Sequence, residues 1–508
     1  MRFAQDANGR GTQLASDAMS RSSRAIERDL LALLGTGSVL AGTTSAYLTD
    51  ATESRKLRGR ADAVALPANT AEVAQVVAWC YDHDVAIVPR GGGTGFAGGA
   101  VPLDGGVVLG LERLRGPARI EPELWRAQVP AGVPTATLRR QARENGLLFP
   151  PDPGAAEQSQ IGGNIATNAG GPHAFKYGVT GAWVTGVDVV IPPGELVTIG
   201  GPIRKDVAGY DLKSLVVGSE GTLGVVTGAW LRLVPAPEAA LPVVAFCASA
   251  ELGCAAILSV FANGLAVAAL EYLDEGSIAM TRGGFPGEVP SAARFMLIVE
   301  ADGSPSEAER LRLEVVEGLG EYALSIQSPT DPAAINRLWL WRDGVSLVAS
   351  AQRGGKFSED IVVPLDRFGE ALDATLAIGR RHSLPTCSWG HAGDGNLHST
   401  FLVNADDSGE LARAEQAAEE LFVLAAALGG SISGEHGVGL VKRGALAHQW
   451  MPPALALHEA VKRAFDPKGL LNPGKKLGRP IGANSVGGAA NTASSTLGEH
   501  QPHNQKGA

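Results

Sequence analysis

Apolar residues recur at helical spacing in some windows of this chain and crowd into short runs in others, with glycine-rich stretches between them. Over residues 69–80, Val73, Val76, Val77 and Cys80 fall at i, i+3, i+4 and i+7, and Asn69 with Glu72 forms a capping box, so this window predicts a helix. Residues 85–89 predict a short buried strand and 107–111 a second. Residues 217–226 lead into a strand ending at Pro235, and Pro235 with Pro237 marks a domain boundary. Beyond it, strands at 295–299 and 401–403 and an amphipathic helix at 306–319 give the alternation of an α+β domain. Residues 410–428 predict a helix through Leu411, Ala414, Leu421, Phe422, Ala425 and Leu428, stopped by Gly429 and Gly430. The longest apolar run, 254–272, is rich in alanine and broken by Ser259, Asn263 and Gly264. It falls short of the roughly 20 strongly apolar residues that span a bilayer and predicts a buried helix.

Composition narrows the function classes. The chain has 508 residues, 45% of them apolar, enough for a large core, and its 43 Lys+Arg against 53 Asp+Glu give a net charge of −10. No basic field is available to hold nucleic acid. Cys80, Cys247, Cys254 and Cys387 show no C-x-x-C pairing, which argues against a disulfide framework, a zinc ribbon or an iron–sulfur centre and points to a reducing, cytoplasmic setting. The first 20 or so residues lack an apolar secretory core, and 478–508 is too poor in large apolar residues to repay the entropy of ordering, so both ends predict tails.

The 66 glycines, about twice the usual share, are clustered in blocks at 90–111, 150–168 and 217–226. Gly93-x-Gly95-x-x-Gly98 matches the dinucleotide fingerprint formally, but Pro102 and a strand follow it where that motif requires a helix. A run without Cβ atoms can still turn its N–H groups inward as a nest for a pyrophosphate. One such loop reads equally as a set of tight turns; three blocks favour a large anionic cofactor.

A second constellation lies towards the C-terminus. His391-Ala-Gly-Asp-Gly-Asn-Leu-His398 places two imidazoles around a turn, and Gly434-Glu435-His436-Gly437 adds a carboxylate and a third imidazole. Two His and a Glu suit a divalent metal such as zinc or manganese. Arg342 and Lys356 are candidates for clamping a substrate carboxylate, although each taken alone reads more readily as a surface charge.

Together, RGGGTGFAGGA, PPDPGAAEQSQIGGNIATNAGG, KYGVTGAWVTGVDVV, KDVAGYDLKSLVVGSEGTLGVVT, GHAGDGNLH, SGEHGVGLVK and FDPKGLLNPGK resemble, in unbroken order from about residue 40 to 477, the FAD-linked oxidase family that includes D-lactate dehydrogenase, the glycolate oxidase flavoprotein subunit and D-2-hydroxyglutarate dehydrogenase. The resemblance implies an α+β chain: a two-subdomain vanillyl-alcohol-oxidase-type FAD-binding domain at 26–235 after a tail at 1–25, a substrate (cap) domain at 236–455, a segment at 456–477 returning to the FAD domain, and a tail at 478–508. It implies that Arg90, Gly91, Gly92, Gly93, Thr94 and Gly95 cradle the pyrophosphate. Asp152, Gly162, Gly163, Asn164, Thr167 and Asn168 would line the flavin, with Glu220, Gly221, Gly224, Val225 and Asn472 completing the cleft. Relatives with covalent FAD use a His in the first glycine loop; Thr94 stands there, implying non-covalent FAD.

By the same resemblance His391, His398 and Glu435 bind the metal, His436 sits beside the substrate hydroxyl, and Arg342, Lys356 and Ser346 hold the substrate carboxylate. The expected reaction is oxidation of a D-2-hydroxy acid, with proton loss from the hydroxyl to His436 and hydride transfer from C2 to flavin N5. The expected partners are the acid and an electron acceptor (quinone, cytochrome, electron-transfer flavoprotein or iron–sulfur subunit), through which the protein would lie peripheral to a membrane; a homodimer is left open. An accessory electron-transfer subunit and an alcohol or phenol oxidase of the same fold are the alternatives.

Overall fold

The structure, a computed structural model, describes residues 22–52 and 54–477. The predicted tail at 478–508 and the first 21 residues lie outside it; a helix over Ser23–Leu34, capped by Ser22, opens the described chain.

Strands β1 (Val39–Ala41), β2 (Ala63–Ala65), β3 (Ile87–Arg90) and β4 (Val107–Gly110) form a first sheet in the order β1-β2-β4-β3. The predicted helix runs Thr70–Asp82, its N-cap Asn69 accepting from the Glu72 N–H, and it crosses from β2 to β3. Strands β3 and β4 are parallel and adjacent, yet the glycine-rich loop alone connects them. A parallel pair normally takes a helical crossover, so this loop is an irregular wall laid across the end of a sheet.

A second sheet, in the order β5-β6-β10-β8-β9, comprises β5 (Arg119–Glu121), β6 (Arg126–Pro130), β8 (Val184–Ile191), β9 (Glu195–Gly200) and β10 (Val225–Arg232), while β7 (Leu147–Leu148) pairs with β11 (Val234–Pro235). The Ile161–Thr167 helix, with buried Ile161 and Ile165, packs on this sheet, setting Gly162 against Ala131 and Gly163 against Gly91 of the first glycine loop.

After Pro235 a seven-stranded sheet follows, ordered β15-β12-β14-β13-β17-β18-β16, from β12 (Ala239–Cys247), β13 (Ala269–Asp274), β14 (Phe295–Gly303), β15 (Ala323–Gln327), β16 (Gly354–Val362), β17 (Thr386–His391) and β18 (Asn396–Asn404). Helices Ala250–Ala262, Pro305–Leu319, Phe368–Arg381 and Ser408–Ala427 cover one face around Tyr272, Phe295, Phe357 and Phe401. The second of these carries a full Ser304/Glu307 capping box.

The run at 254–272 corrects the expectation of a single helix. Its first part belongs to the Ala250–Ala262 helix, Gly264 at φ +64° ends the turn, and Ala269–Asp274 is strand β13, buried along its whole length. A continuous apolar run does not by its periodicity separate a buried helix from a buried strand. Residues past the Pro452–Phe465 helix return to the first sheet, where the Asn472 N–H donates to Ile87 O at 2.7 Å. Among the described residues no helix is long and apolar enough to cross a membrane.

Candidate active site

The glycine blocks converge on one cavity of about 570 Å³. Arg90, Gly91, Gly92, Gly93, Thr94 and Gly95 line it, with Gly162, Gly163, Asn164 and Thr167 from the helix and Glu220, Gly221, Gly224 and Val225 from the third block. The missing Cβ atoms are a packing requirement: a Cβ on Gly92 would sit 2.1 Å from Gln158 O, and one on Gly162 2.7 Å from the Ala131 Cβ. Gln160, which the sequence reading passed over, also lines the cavity, and its Oε1 is buried with no hydrogen-bond partner. A buried acceptor left unpaired beside a backbone cradle fits a polar ligand rather than a closed core. A polar side chain two positions before Gly162-Gly163 was the available signal.

Several predicted contact residues line this wall with backbone while their side chains serve the fold. The Arg90 guanidinium donates to Thr49 O and Ala46 O at 2.7 and 2.9 Å, so it staples the loop. Asn164 donates to Thr135 Oγ1, and Glu220 accepts the N–H groups of Val438 and Gly439. Asp152, Asn168 and Asn472 lie outside the cavity wall. Asn168 accepts the Gly181 N–H, and Asn472 donates to Gly99 O and Glu220 O, tying the returning segment to two wall loops. Asp152, partly buried, pairs with His173, which reaches Glu300 of β14 at 2.8 Å through Nε2. Burial opposes both charges, but the pairing wins, holding Asp152 below the usual carboxylate range and His173 well above the usual imidazole range.

His391 ends β17 and His398 lies in β18, joined by a tight turn that Gly395 closes at φ +69°. The turn faces Glu435, whose Oε1 is 3.2 Å from His391 Nε2 and 3.6 Å from His398 Nε2, and the three ligand atoms all lie within 4.8 Å of one another. Burial disfavours charge on His391, yet Glu271 and Glu435 outweigh it and raise its pKa well above the ordinary value. Burial, then His436 and His391, push His398 well below. Two imidazole nitrogens facing a carboxylate oxygen match a divalent-cation site. His436 stacks on His398 with ring centroids 5.2 Å apart and meets Phe96 in a tilted contact at 4.8 Å, and Glu435 and His436 both border the glycine-lined cavity.

Two carboxylates that the sequence reading did not single out as site residues organise this cluster. Asp360 in β16 is fully buried, and its Oδ2 accepts the N–H groups of Gly434, Glu435 and His436 and the Ser433 hydroxyl at 2.9–3.0 Å, while Oδ1 accepts Asn396. This nest shapes the turn carrying Glu435 and His436. Asp360 also comes within reach of His398 and His436, but its oxygens are taken by these donors, so that grouping is structural. Glu271 in β13, 0% exposed, accepts His391 Nδ1–H at 2.6 Å through Oε1 and Arg342 Nε–H at 2.8 Å through Oε2. Arg342 is thus buried against Glu271, with Nη1 the one guanidinium nitrogen outside that pairing. Lys356 is also buried; its Nζ donates to Ser346, which lines the cavity, and lies 5.2 Å from the Trp389 ring.

Comparison with known proteins agrees with this architecture. Residues 61–200 match the FAD binding domain model, and residues 236–476 match the model for the C-terminal domain of FAD linked oxidases. The chain is 37% identical to a glycolate oxidase subunit of Bacillus subtilis, over 84% of this chain and 91% of the relative. It is 33% identical to a D-lactate dehydrogenase of Anaerostipes hadrus, over 82% and 90%, and 34% identical to a D-2-hydroxyglutarate dehydrogenase of Xanthomonas citri, over 81% and 88%. In fold it is similar to p-cresol methylhydroxylase, with TM-score 0.75 and 17% identity over 90% of this chain and 97% of that one. A 4-ethylphenol oxidase from Gulosibacter chungangensis gives TM-score 0.73 at 17% identity, over 92% and 99%. With both domain models matched in order and relatives similar along nearly their whole length, this chain belongs to the FAD-linked oxidases and is an FAD-dependent oxidoreductase.

Proposed function

We propose that this protein oxidises a D-2-hydroxy acid to the 2-oxo acid, using FAD as acceptor and a divalent cation held by His391, His398 and Glu435. The observation that carries this reading is the convergence of two imidazoles on Glu435, which together with His436, stacked on His398, borders the cavity the glycine loops enclose. The names of the relatives, glycolate oxidase, D-lactate dehydrogenase and D-2-hydroxyglutarate dehydrogenase, support the same substrate class.

When bound, FAD supplies a two-electron acceptor, and the cation supplies a Lewis acid that favours the alkoxide form of the substrate. The residues of the chain do the rest. The glycine walls hold the cofactor by backbone N–H groups. Arg342 Nη1, Lys356 and Ser346 bind the substrate carboxylate and so fix which face of C2 is presented. A ring nitrogen of His436 takes the hydroxyl proton, and Phe96 packed on that ring excludes water from it.

The test is anaerobic mixing of FAD-loaded, metal-replete protein with D- and L-2-hydroxy acids while the oxidised-flavin absorbance is followed. Bleaching by a D-acid and not by its enantiomer is expected. A protein that stays oxidised with every acid, and is bleached instead by a phenol or simple alcohol, would overturn the reading.

A further inference from the structure

Glu271 is a charged residue in the middle of a strand buried on both faces, between Leu270 and Tyr272, each no more than 1% exposed. Burying a carboxylate there costs several kcal/mol unless it is paired. Here it is paired twice: Oε1 accepts the Nδ1–H of His391, and Oε2 accepts Nε–H and Nη2–H of Arg342. His391 thereby spends its Nδ1 on the interior and turns Nε2 towards Glu435 and His398. Arg342 is held by one edge of its planar fork. One side chain thus connects the candidate metal ligand to the candidate carboxylate clamp.

We propose that Glu271 is a positioning residue that fixes His391 with its proton on Nδ1 and its Nε2 lone pair free for a cation, and sets Arg342 at a constant offset from that cation. The proposal rests on the functional reading above. Two functions of opposite charge, cation binding and carboxylate binding, are thereby registered to one rigid strand. That register matters because a 2-hydroxy acid presents its hydroxyl and carboxylate one carbon–carbon bond apart. A glutamine at this position would accept from Arg342 through its oxygen but offer its amide N–H to His391 Nδ1. The neutral ring would then carry its proton on Nε2, where it cannot ligate.

The experiment compares FAD-loaded wild type, Glu271→Gln and Glu271→Asp. Zinc and manganese binding are followed by calorimetry in the absence of substrate, and the histidine ring nitrogens of the zinc-loaded proteins by ¹⁵N NMR. Wild type should show two zinc-bound ring nitrogens, each on a ring with a protonated Nδ1, and the one lost in His391→Gln is that of His391. Glu271→Gln should weaken cation binding roughly 10- to 100-fold and lose that signature, while raising KM as well as lowering kcat. Glu271→Asp, which keeps the acceptor, should recover part of the affinity. Should Glu271→Gln fail to retain FAD, the double variant Glu271→Met/Arg342→Met removes the unpaired buried cation and has no acceptor for His391, and its cation affinity decides the point. Unchanged affinity and an unchanged ¹⁵N signature in the variants would overturn the role of Glu271 and leave the metal reading standing. A wild type that binds no divalent cation would overturn both.

Discussion

The two halves of the site are built by opposite means. Around the cofactor cavity, function resides in what is missing: Gly92 and Gly162 have no room for a Cβ, and the polar side chains nearby, Arg90, Asn164 and Glu220, mostly hold main chain. In the C-terminal domain, the candidate site is built from charges taken out of water. There Glu271, Asp360, Arg342, Lys356, His391 and His398 are all buried: Glu271 pairs with Arg342 and His391, Asp360 with the N–H groups of residues 434–436, and Lys356 with Ser346. The difference leads us to expect that the first half is most sensitive to added volume and the second to lost charge.

The largest expected effect lies where the halves meet. His436→Ala keeps the walls intact, so the purified protein should stay yellow while kcat falls roughly 10²- to 10⁴-fold, the range for a lost general base. Steady-state kinetics beside the flavin spectrum check it, and wild-type turnover would remove His436 from the chemistry. Next is Asp360→Asn, nearly identical in volume. It turns an amide donor towards backbone donors from residues 434–436 or leaves them unpaired, so about 3–5 kcal/mol of stability should be lost and flavin reduction impaired. A melting curve matching wild type would break the expectation that this half is most sensitive to lost charge.

Gly92→Ala makes the converse test, adding one methyl and no charge. With Gln158 O 2.1 Å from the new atom, FAD retention should drop and stability fall by about 1–3 kcal/mol, as for overpacking. Full FAD occupancy after gel filtration would show that the wall yields.

The smallest effect concerns the ion pairs that bridge the halves. Because the folded state raises the His173 pKa, its contribution is complete below the ordinary imidazole value of 6.5 and is lost as pH rises through the folded value. Because it lowers the Asp152 pKa, that contribution is present above 3.8 and lost as pH falls through the folded value. The melting-temperature advantage of wild type over His173→Gln should therefore be greatest between about pH 4 and 6.5 and shrink at high pH. An advantage that grows with pH would contradict the bridging role.

What was legible follows the same division. Glycine blocks and a cluster of rare histidines are signals of composition and spacing, so the cavity wall and His391, His398, Glu435 and His436 could be read from the chain. Arg342 and Lys356 were legible as residues, but their burial was not. Glu271 was hidden inside an apolar run taken for one long helix; a lone acid in such a run is the signal that could have found it. Asp360 gave less, since Glu359-Asp360 reads like any polar pair, and its partners lie some 75 positions later in the chain.

The sequence by itself determined the order of elements, the absence of side chains along the cofactor walls and the set of donors able to hold a cation, because each depends on residue type at short spacing. Only the tertiary structure decided that Glu271 serves His391 across 120 residues and that Asp360 folds the turn bearing Glu435 and His436. A buried charge is tolerated only where the fold brings it a partner, and strand order, not local sequence, chooses that partner.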